Sequence, residues 1–198
     1  MSATRRRGGG SAALLEPLRG RPRPGAACTI TVLVYRGVTT VEAELPAQRI
    51  ADRTRGEIVF VGPAAGTYPG VEPARPVIAD RGPGPDHRPD VLVVPGGLGW
   101  KLVADDPAIS TWLADAADAA RGILAISTGS LLLAAAGRLA GRPATGHWLA
   151  AQTLAELGAD VRAERVAHAE AGRLLTASGS MAALGAADEL ADLVNWSR

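Results

Sequence analysis

One short stretch of the sequence has the residue types and spacing of a nucleophile elbow. It reads Ala125-Ile126-Ser127-Thr128-Gly129, where an apolar run stops at a small polar turn and an apolar helical pattern follows. Such a turn exposes one side chain above the carboxyl edge of a sheet, at the positive end of a helix. The pattern therefore predicts that Ser127 and Thr128 are catalytic groups. The alternative is that one of these hydroxyls only caps the following helix.

Two other segments carry groups that could serve the same chemistry. Val94-Pro95-Gly96-Gly97 follows an apolar run, and glycines there let main-chain N–H groups approach a ligand. They are also ordinary loop residues. Thr39-Thr40-Val41-Glu42 follows the first apolar run. Its carboxylate either transfers protons at the carboxyl edge of the sheet or forms a capping box with Thr39 and binds only a backbone amide.

The three histidines do not have the spacing of metal ligands. His147 is followed by Trp148 beyond the elbow, while His87 and His168 lie in unrelated stretches. Zinc sites need several His or Cys ligands at short, regular spacings. We therefore expect no metal and no cofactor, and His147 is either a pocket residue or a structural side chain.

Apolar runs predict the elements that position these groups. Four nearly continuous runs are typical of strands buried on both faces: residues 30–35, 58–61, 91–94 and 123–126. Two further strands are predicted at 76–78 and 173–176, a helix at 107–120, and a last helix after Ser180. Strands that alternate with helices predict a mostly parallel sheet covered on both faces.

Length and charge restrict the class of protein. The 198 residues suit one domain. Residues 1–27 are rich in Arg, Gly and Pro, so we predict a disordered leader before a single domain over 28–198. The net charge of +1 becomes mildly negative without the leader, which argues against nucleic-acid binding. Cys28 is the sole cysteine, which predicts a reducing, cytoplasmic location, and no apolar run is long enough for a membrane span.

Taken in order, these motifs resemble the DJ-1/PfpI superfamily over roughly residues 29–195, nearest its isonitrile-hydratase-like branch. The block from Ser127 to Leu139, together with His147-Trp148, is similar to the Cys-Thr-Gly elbow and Thr-His-Trp segment of that branch. Val94-Pro95-Gly96-Gly97 is similar to its Pro-Gly-Gly turn. Two features depart from the pattern: serine stands at position 127 in place of the reactive cysteine, and residues 180–185 lack the Gly-Ile-Asp pattern of relatives.

The resemblance implies a flavodoxin-like three-layer sandwich with a mostly parallel central sheet, usually as a homodimer, with the site at the elbow. It makes Glu42 the acidic residue that touches the position of the nucleophile. It places the oxyanion hole at the backbone N–H groups of Gly97 and Thr128. The pocket residues that it implies are Gly96, His147 and Trp148.

Serine at the elbow changes the expected chemistry. A cysteine there is partly a thiolate near neutral pH, whereas a serine hydroxyl requires a positioned base. We expect a small-molecule enzyme in which Glu42 transfers a proton and Ser127 and Thr128 donate hydrogen bonds, as in hydration of an isonitrile, a related addition or a cyclisation. Two alternatives remain: a serine hydrolase with Glu42 or His147 as base, and a catalytically inactive ligand-sensing or interaction protein.

Overall fold

The short apolar runs form strands of one central sheet. The computed structural model describes residues 16–20, 25, 26, 28–72 and 75–196. In chain order the strands are β1 (Thr29–Leu33), β2 (Glu57–Val61), β3 (Gly66–Tyr68), β4 (Val77–Ala79), β5 (Val91–Val94), β6 (Gly122–Ile126), β7 (Pro143–Ala144), β8 (Asp160–Val161), β9 (Val166–Ala169) and β10 (Leu174–Ala177). Six of them build the central sheet in the order β2-β1-β5-β6-β10-β9.

The central sheet is parallel except at one edge. β2, β1, β5, β6 and β10 pair in parallel, and only β9 runs antiparallel to its neighbour β10. Every residue of β5 and β6 is buried, because helices cover both faces of a doubly wound sheet. The predicted α/β class, a flavodoxin-like sandwich with a mostly parallel sheet, is confirmed.

Helices form the two outer layers. They are α1 (Thr40–Thr54), α2 (Trp100–Ala104), α3 (Pro107–Ala119), α4 (Gly129–Ala135), α5 (Ala151–Glu156) and α6 (Ser180–Trp196). α1 and α6 pack against each other, while α2, α3 and α4 form a second group. Arg49 on α1 binds Asp188 on α6 through two hydrogen bonds of 2.8 Å. In the described part of the chain, no helix has the length and apolar character needed to cross a membrane.

Three of the shortest strands, β3, β7 and β8, were not predicted from the sequence, whereas β4 overlaps the strand expected at 76–78. β3 and β4 form a small antiparallel hairpin, and β7 and β8 form a separate parallel pair. Strands of two or three residues are too short to show a period of two. The edge strand β9 includes the exposed His168, so it lacks the continuous buried apolar run by which the central strands were predicted.

Part of the segment expected to be disordered packs on the domain. Leu18 is only 6% exposed; its N–H donates to the carbonyl oxygen of Pro76 (2.9 Å), and its own carbonyl oxygen accepts from Ile78 (2.8 Å). Leu18 is followed at once by Arg, Gly and Pro residues that show no apolar periodicity, so the sequence could not reveal this contact. The expectation of a disordered leader therefore does not hold for Leu18. Residues 1–15, 21–24 and 27 lie outside the described residues.

Candidate active site

The turn between β6 and α4 has the geometry of a nucleophile elbow. Ser127 has a φ of 58°, a left-handed conformation that costs a non-glycine residue about 1–3 kcal/mol. Its N–H donates to the carbonyl oxygen of Ala177 at the end of β10 (2.8 Å), which holds the strained turn in place. At Gly129 a Cβ atom would lie 2.0 Å from the carbonyl oxygen of Val94, so only glycine permits this close approach. The Ser127 side chain is half-buried at the sheet edge.

Glu42 lies in the first turn of α1 and is only 5% exposed. Its Oε2 accepts a hydrogen bond from the Gly96 N–H (2.9 Å), and its Oε1 accepts one from the Ser180 hydroxyl (3.3 Å). The capping-box alternative is wrong, because Thr39 makes no side-chain cap hydrogen bond. The Thr40 N–H instead donates to the carboxylate of Glu72 (3.0 Å), so the start of α1 is capped by a distant loop.

Gly96 is the point at which the acid and the elbow meet. A Cβ atom at this glycine would lie 2.9 Å from each of three atoms: Glu42 Oε2, Ser127 Cβ and the Thr128 backbone nitrogen. The Gly96 carbonyl oxygen also accepts from the Thr39 N–H (2.8 Å). The structure therefore brings Glu42, Ser127 and Thr128 together around one glycine that has no room for a side chain.

Thr128 uses its hydroxyl to fix the neighbouring Gly97 turn. Its Oγ1 accepts from the Gly97 N–H (2.9 Å) and donates to the Gly97 carbonyl oxygen (3.2 Å). This hydroxyl makes no cap hydrogen bond to α4, so that alternative for Thr128 is wrong. Of the two N–H groups expected to form an oxyanion hole, that of Gly97 already has an acceptor. The Thr128 N–H lies beside Gly96, 2.9 Å from the place that a Cβ atom of that glycine would occupy.

A cavity of about 400 Å³ opens at the elbow. The residues that line it are Thr39, Val71, Gly97, Leu98, Trp100, Ser127, Thr128, Leu131, His147, Leu149, Ala150 and Thr153. No Asp, Glu, Lys or Arg belongs to this set. Glu42 lies behind the cavity wall rather than in it, so of the acid and the elbow hydroxyl only Ser127 faces the cavity.

Two of the expected pocket residues lie elsewhere. Gly96 is buried beneath the wall between Glu42 and Ser127. Trp148 is 76% exposed and begins a 3-10 turn over Trp148–Ala150. Successive side chains of such a turn point a third of a turn apart, so Leu149 reaches the cavity while Trp148 faces outward.

Burial controls the proton affinity of the site. It raises the pKa of Glu42 above its ordinary value, because removal from water penalises the carboxylate form. The hydrogen bonds from Gly96 and Ser180 act in the opposite direction, and the charge of Glu72 raises the pKa further. Burial, and secondly the charge of Glu42, also raises the pKa of Tyr35. Tyr35 is thus a neutral donor, and its hydroxyl binds the Pro95 carbonyl oxygen (3.0 Å), which steadies the Pro95-Gly96 turn.

The histidines are dispersed. His147 lines the cavity, but its Nδ1 accepts from the Leu149 N–H (3.3 Å), and among the described residues the Ser127 hydroxyl has no hydrogen-bond partner. His87 lies 2.6 Å from the Thr31 hydroxyl and His168 lies 2.7 Å from Glu189. Within the ranges that the structure describes, no three His, Cys, Asp or Glu side chains are grouped as metal ligands.

Sequence reasoning missed the roles of Ser180 and Tyr35. Both follow strands of the parallel sheet, β10 and β1, and their hydroxyls reach the carboxyl edge where the elbow lies. The carboxyl ends of parallel strands meet at one edge, so a polar residue just after any central strand was a candidate. Serine after a strand is so common in loops that this signal alone does not single out Ser180.

The strained elbow and the buried carboxylate define a class: flavodoxin-like α/β domains whose site lies at a strand-to-helix turn. The chain belongs to the DJ-1/PfpI family, whose sequence profile matches residues 28–192.

Individual relatives agree with this assignment. The chain is 38% identical over 102 residues to an isonitrile hydratase of Pseudomonas putida, a match that covers 52% of this chain and 44% of the relative. The match thus spans less than half the length of that curated relative. A ThiJ/PfpI family protein from Pseudomonas syringae superposes with a TM-score of 0.76 at 28% identity, over 84% of this chain and 69% of the other. Drosophila melanogaster DJ-1beta superposes with a TM-score of 0.73 at 19% identity, over 85% and 94%, and shows the fold alone.

Proposed function

We propose that the protein is a small-molecule enzyme that hydrates an isonitrile, or performs a related addition or cyclisation, by acid/base chemistry without a cysteine thiolate. The observation that carries the proposal is the environment of Glu42: a buried carboxyl group with a raised pKa that shares Gly96 with the elbow serine. Such a group holds a proton nearer to neutral pH than an exposed carboxyl does. The similarity to an isonitrile hydratase over part of the chain supports the choice of reaction.

The proposed reaction balances with one water molecule and no other reactant. Ser127 faces the cavity and Glu42 lies behind it, so the serine hydroxyl gives its proton to the terminal carbon of R–N≡C and takes one from Glu42. A C–H bond forms, and the carbon becomes an electrophilic nitrilium centre. The oxygen of water then bonds to this carbon, and the proton that the water loses passes to the Ser127 hydroxyl while the hydroxyl gives its own proton back to Glu42. Tautomerisation gives the formamide R–NH–CHO.

The composition of the cavity supports an uncharged substrate. None of the lining side chains is Asp, Glu, Lys or Arg, and Val71, Leu98 and Leu131 offer apolar surface to a hydrocarbon group. A charged substrate would lose its hydration in such a cavity without gaining an opposite charge. The isonitrile group is neutral, and its carbon needs only one proton donor.

The serine hydrolase alternative has weaker support. A serine nucleophile needs a base within hydrogen-bond reach, but His147 uses its Nδ1 to accept from Leu149. The raised pKa of Glu42 suits this group to supply a proton rather than to serve as the base that takes one from Ser127. A covalent adduct on Ser127 after treatment with a fluorophosphonate would favour the hydrolase over the hydratase.

The test is turnover of an alkyl isonitrile, followed by the appearance of the formyl proton in NMR spectra. We expect Glu42→Gln and Ser127→Ala each to lower the rate by about 10²–10⁴-fold, the usual contribution of positioned proton transfer. Glu44→Gln is the control, because this neighbour on α1 pairs with Arg75 instead. Full activity in Glu42→Gln would refute the assignment. Thermal stabilisation by the isonitrile without turnover would favour a ligand-sensing protein.

We also propose that the protein is a homodimer in the cytoplasm. Large apolar side chains are exposed close to the site, among them Leu98 (84%) and Leu149 (66%) at the cavity and Leu102 (73%) on α2. Grouped exposed apolar side chains are typical of interaction surfaces. Light scattering during size-exclusion chromatography tests the dimer, and the substitution of Leu102 by Glu should shift it toward the monomer. The sole cysteine fits a reducing compartment.

A further inference from the structure

Ser180 occupies a position from which it acts on the acid but not on the cavity. It is the first residue of α6, just beyond the carboxyl end of β10. Its hydroxyl donates to Glu42 Oε1 (3.3 Å), and it does not belong to the cavity wall. Its hydroxyl therefore contacts the acid and not the cavity wall.

The two carboxyl oxygens of Glu42 have different kinds of donor. Oε2 is bound by the Gly96 main chain (2.9 Å), which no side-chain substitution can remove. Oε1 accepts from the Ser180 hydroxyl, and the substitution Ser180→Ala removes this donor. Because Glu42 as a whole residue is only 5% exposed, water cannot freely replace that donor.

We propose that Ser180 is a positioning residue of the site, whose hydroxyl orients the Glu42 carboxyl group and makes it a stronger acid than burial alone would allow. The consequence for turnover rests on the proposed function, whereas the effect on Glu42 itself does not. A hydroxyl that donates to a carboxylate stabilises the charged form more than the neutral form. Loss of the hydroxyl therefore leaves a Glu42 that holds its proton to higher pH.

The other titratable groups around Glu42 are held by different partners. Glu72, in the loop that caps α1, binds the Thr40 N–H, and Tyr35 beyond β1 donates to Pro95. On α6, the Asp188 carboxylate pairs with Arg49. None of these bonds involves Ser180, so a substitution there leaves them in place.

The test is the titration of Glu42 in protein carrying ¹³Cδ-labelled glutamate. The resonance that disappears in Glu42→Gln belongs to Glu42, and its chemical shift is followed against pH in each variant. We expect Ser180→Ala to raise the titration midpoint by about one pH unit, the value of one long charge-assisted hydrogen bond. Ser180→Thr keeps a hydroxyl and should titrate near the parent, and Ser180→Cys, a weaker donor of similar size, should fall between them.

Ser178→Ala is the matched control. Ser178 lies in the same loop, and no hydrogen bond joins its side chain to Glu42. Its N–H donates to the carbonyl oxygen of Arg165 (2.9 Å), a bond that alanine would keep. The proposal is overturned if Glu42 titrates at the same pH in Ser180→Ala and the parent, or if Ser178→Ala shifts it equally. If the protein hydrates the isonitrile, kcat/KM should fall at high pH as Glu42 loses its proton. In Ser180→Ala this fall should shift to higher pH together with the titration midpoint. A shifted midpoint without turnover would support Ser180 and refute the hydratase.

Discussion

Replacement of the buried acid should stabilise the protein in a pH-dependent way. Burial raises the pKa of Glu42 above its ordinary value of 4.5, so the folded protein binds this proton more tightly than the unfolded chain does. Below the unfolded pKa both states are protonated and the preference for the folded state is fully present. As the pH rises through the folded pKa, this contribution is lost, because the folded state must then carry an unfavourable buried charge.

Glu42→Gln removes the charge and retains the shape of the side chain. The amide oxygen of glutamine still accepts from the Gly96 N–H. Relative to this variant, the parent should lose about 1.4 kcal/mol of unfolding free energy per pH unit between the unfolded and folded pKa values. The variant should therefore be the more stable protein at neutral pH, although it should be the less active one.

Urea unfolding of both proteins from pH 4 to pH 8 measures this difference. Glu156→Gln is the control, because it removes one negative charge from an exposed position on α5 while Gln152 stays available as a partner. A constant difference between parent and Glu42→Gln over the whole pH range, or a variant that is less stable at neutral pH, would refute the reasoning.

Three further substitutions test the architecture around the acid, each by urea unfolding. Gly96→Ala should destabilise the protein by about 1–3 kcal/mol, because the new methyl group would lie 2.9 Å from Glu42 Oε2, Ser127 Cβ and Thr128 N. Gly185→Ala on α6, where nothing lies within 4 Å, should instead stabilise it by about 0.5–1 kcal/mol. Equal effects of the two substitutions would contradict both predictions. Thr128→Val should cost about 1–3 kcal/mol, because both hydrogen bonds to Gly97 are lost; an unchanged midpoint would show that they contribute nothing. Leu18→Ala should cost about 2 kcal/mol, and no loss would show that this segment is not held on the domain.

The sequence predicted the central strands and the elbow because both leave a local signal. Apolar runs at 91–94 and 123–126 match β5 and β6 closely, since a strand buried on both faces must be apolar throughout. The elbow is visible because a small polar turn interrupts an apolar strand and an apolar helix. The short strands β3, β7 and β8 and the Leu18 contact left no such signal, because each involves only one to three residues whose partners lie elsewhere in the chain.

The candidate site was predictable only in part. Glu42 was a candidate both as an acid and as one half of a capping box, and sequence alone could not decide between them. The decision depends on Gly96, in the turn after β5, whose N–H donates to the carboxylate. Similarly, the residues next to Thr128 and Trp148 in the sequence do not predict that Thr128 binds Gly97 or that Trp148 faces outward. Both depend on how separate loops meet at the edge of the sheet.

The separation of Glu42 from the cavity walls means that two properties of the protein can evolve independently. The acid is surrounded by the starts of α1 and α6 and by the Gly96 turn, whereas much of the wall comes from Leu98, Leu131 and the segment 147–153. A change in that segment can alter which molecule fits without altering how readily the proton leaves. Conversely, a change at the start of α6, where Ser180 donates to Glu42, can adjust the acid without replacing any side chain of the cavity wall.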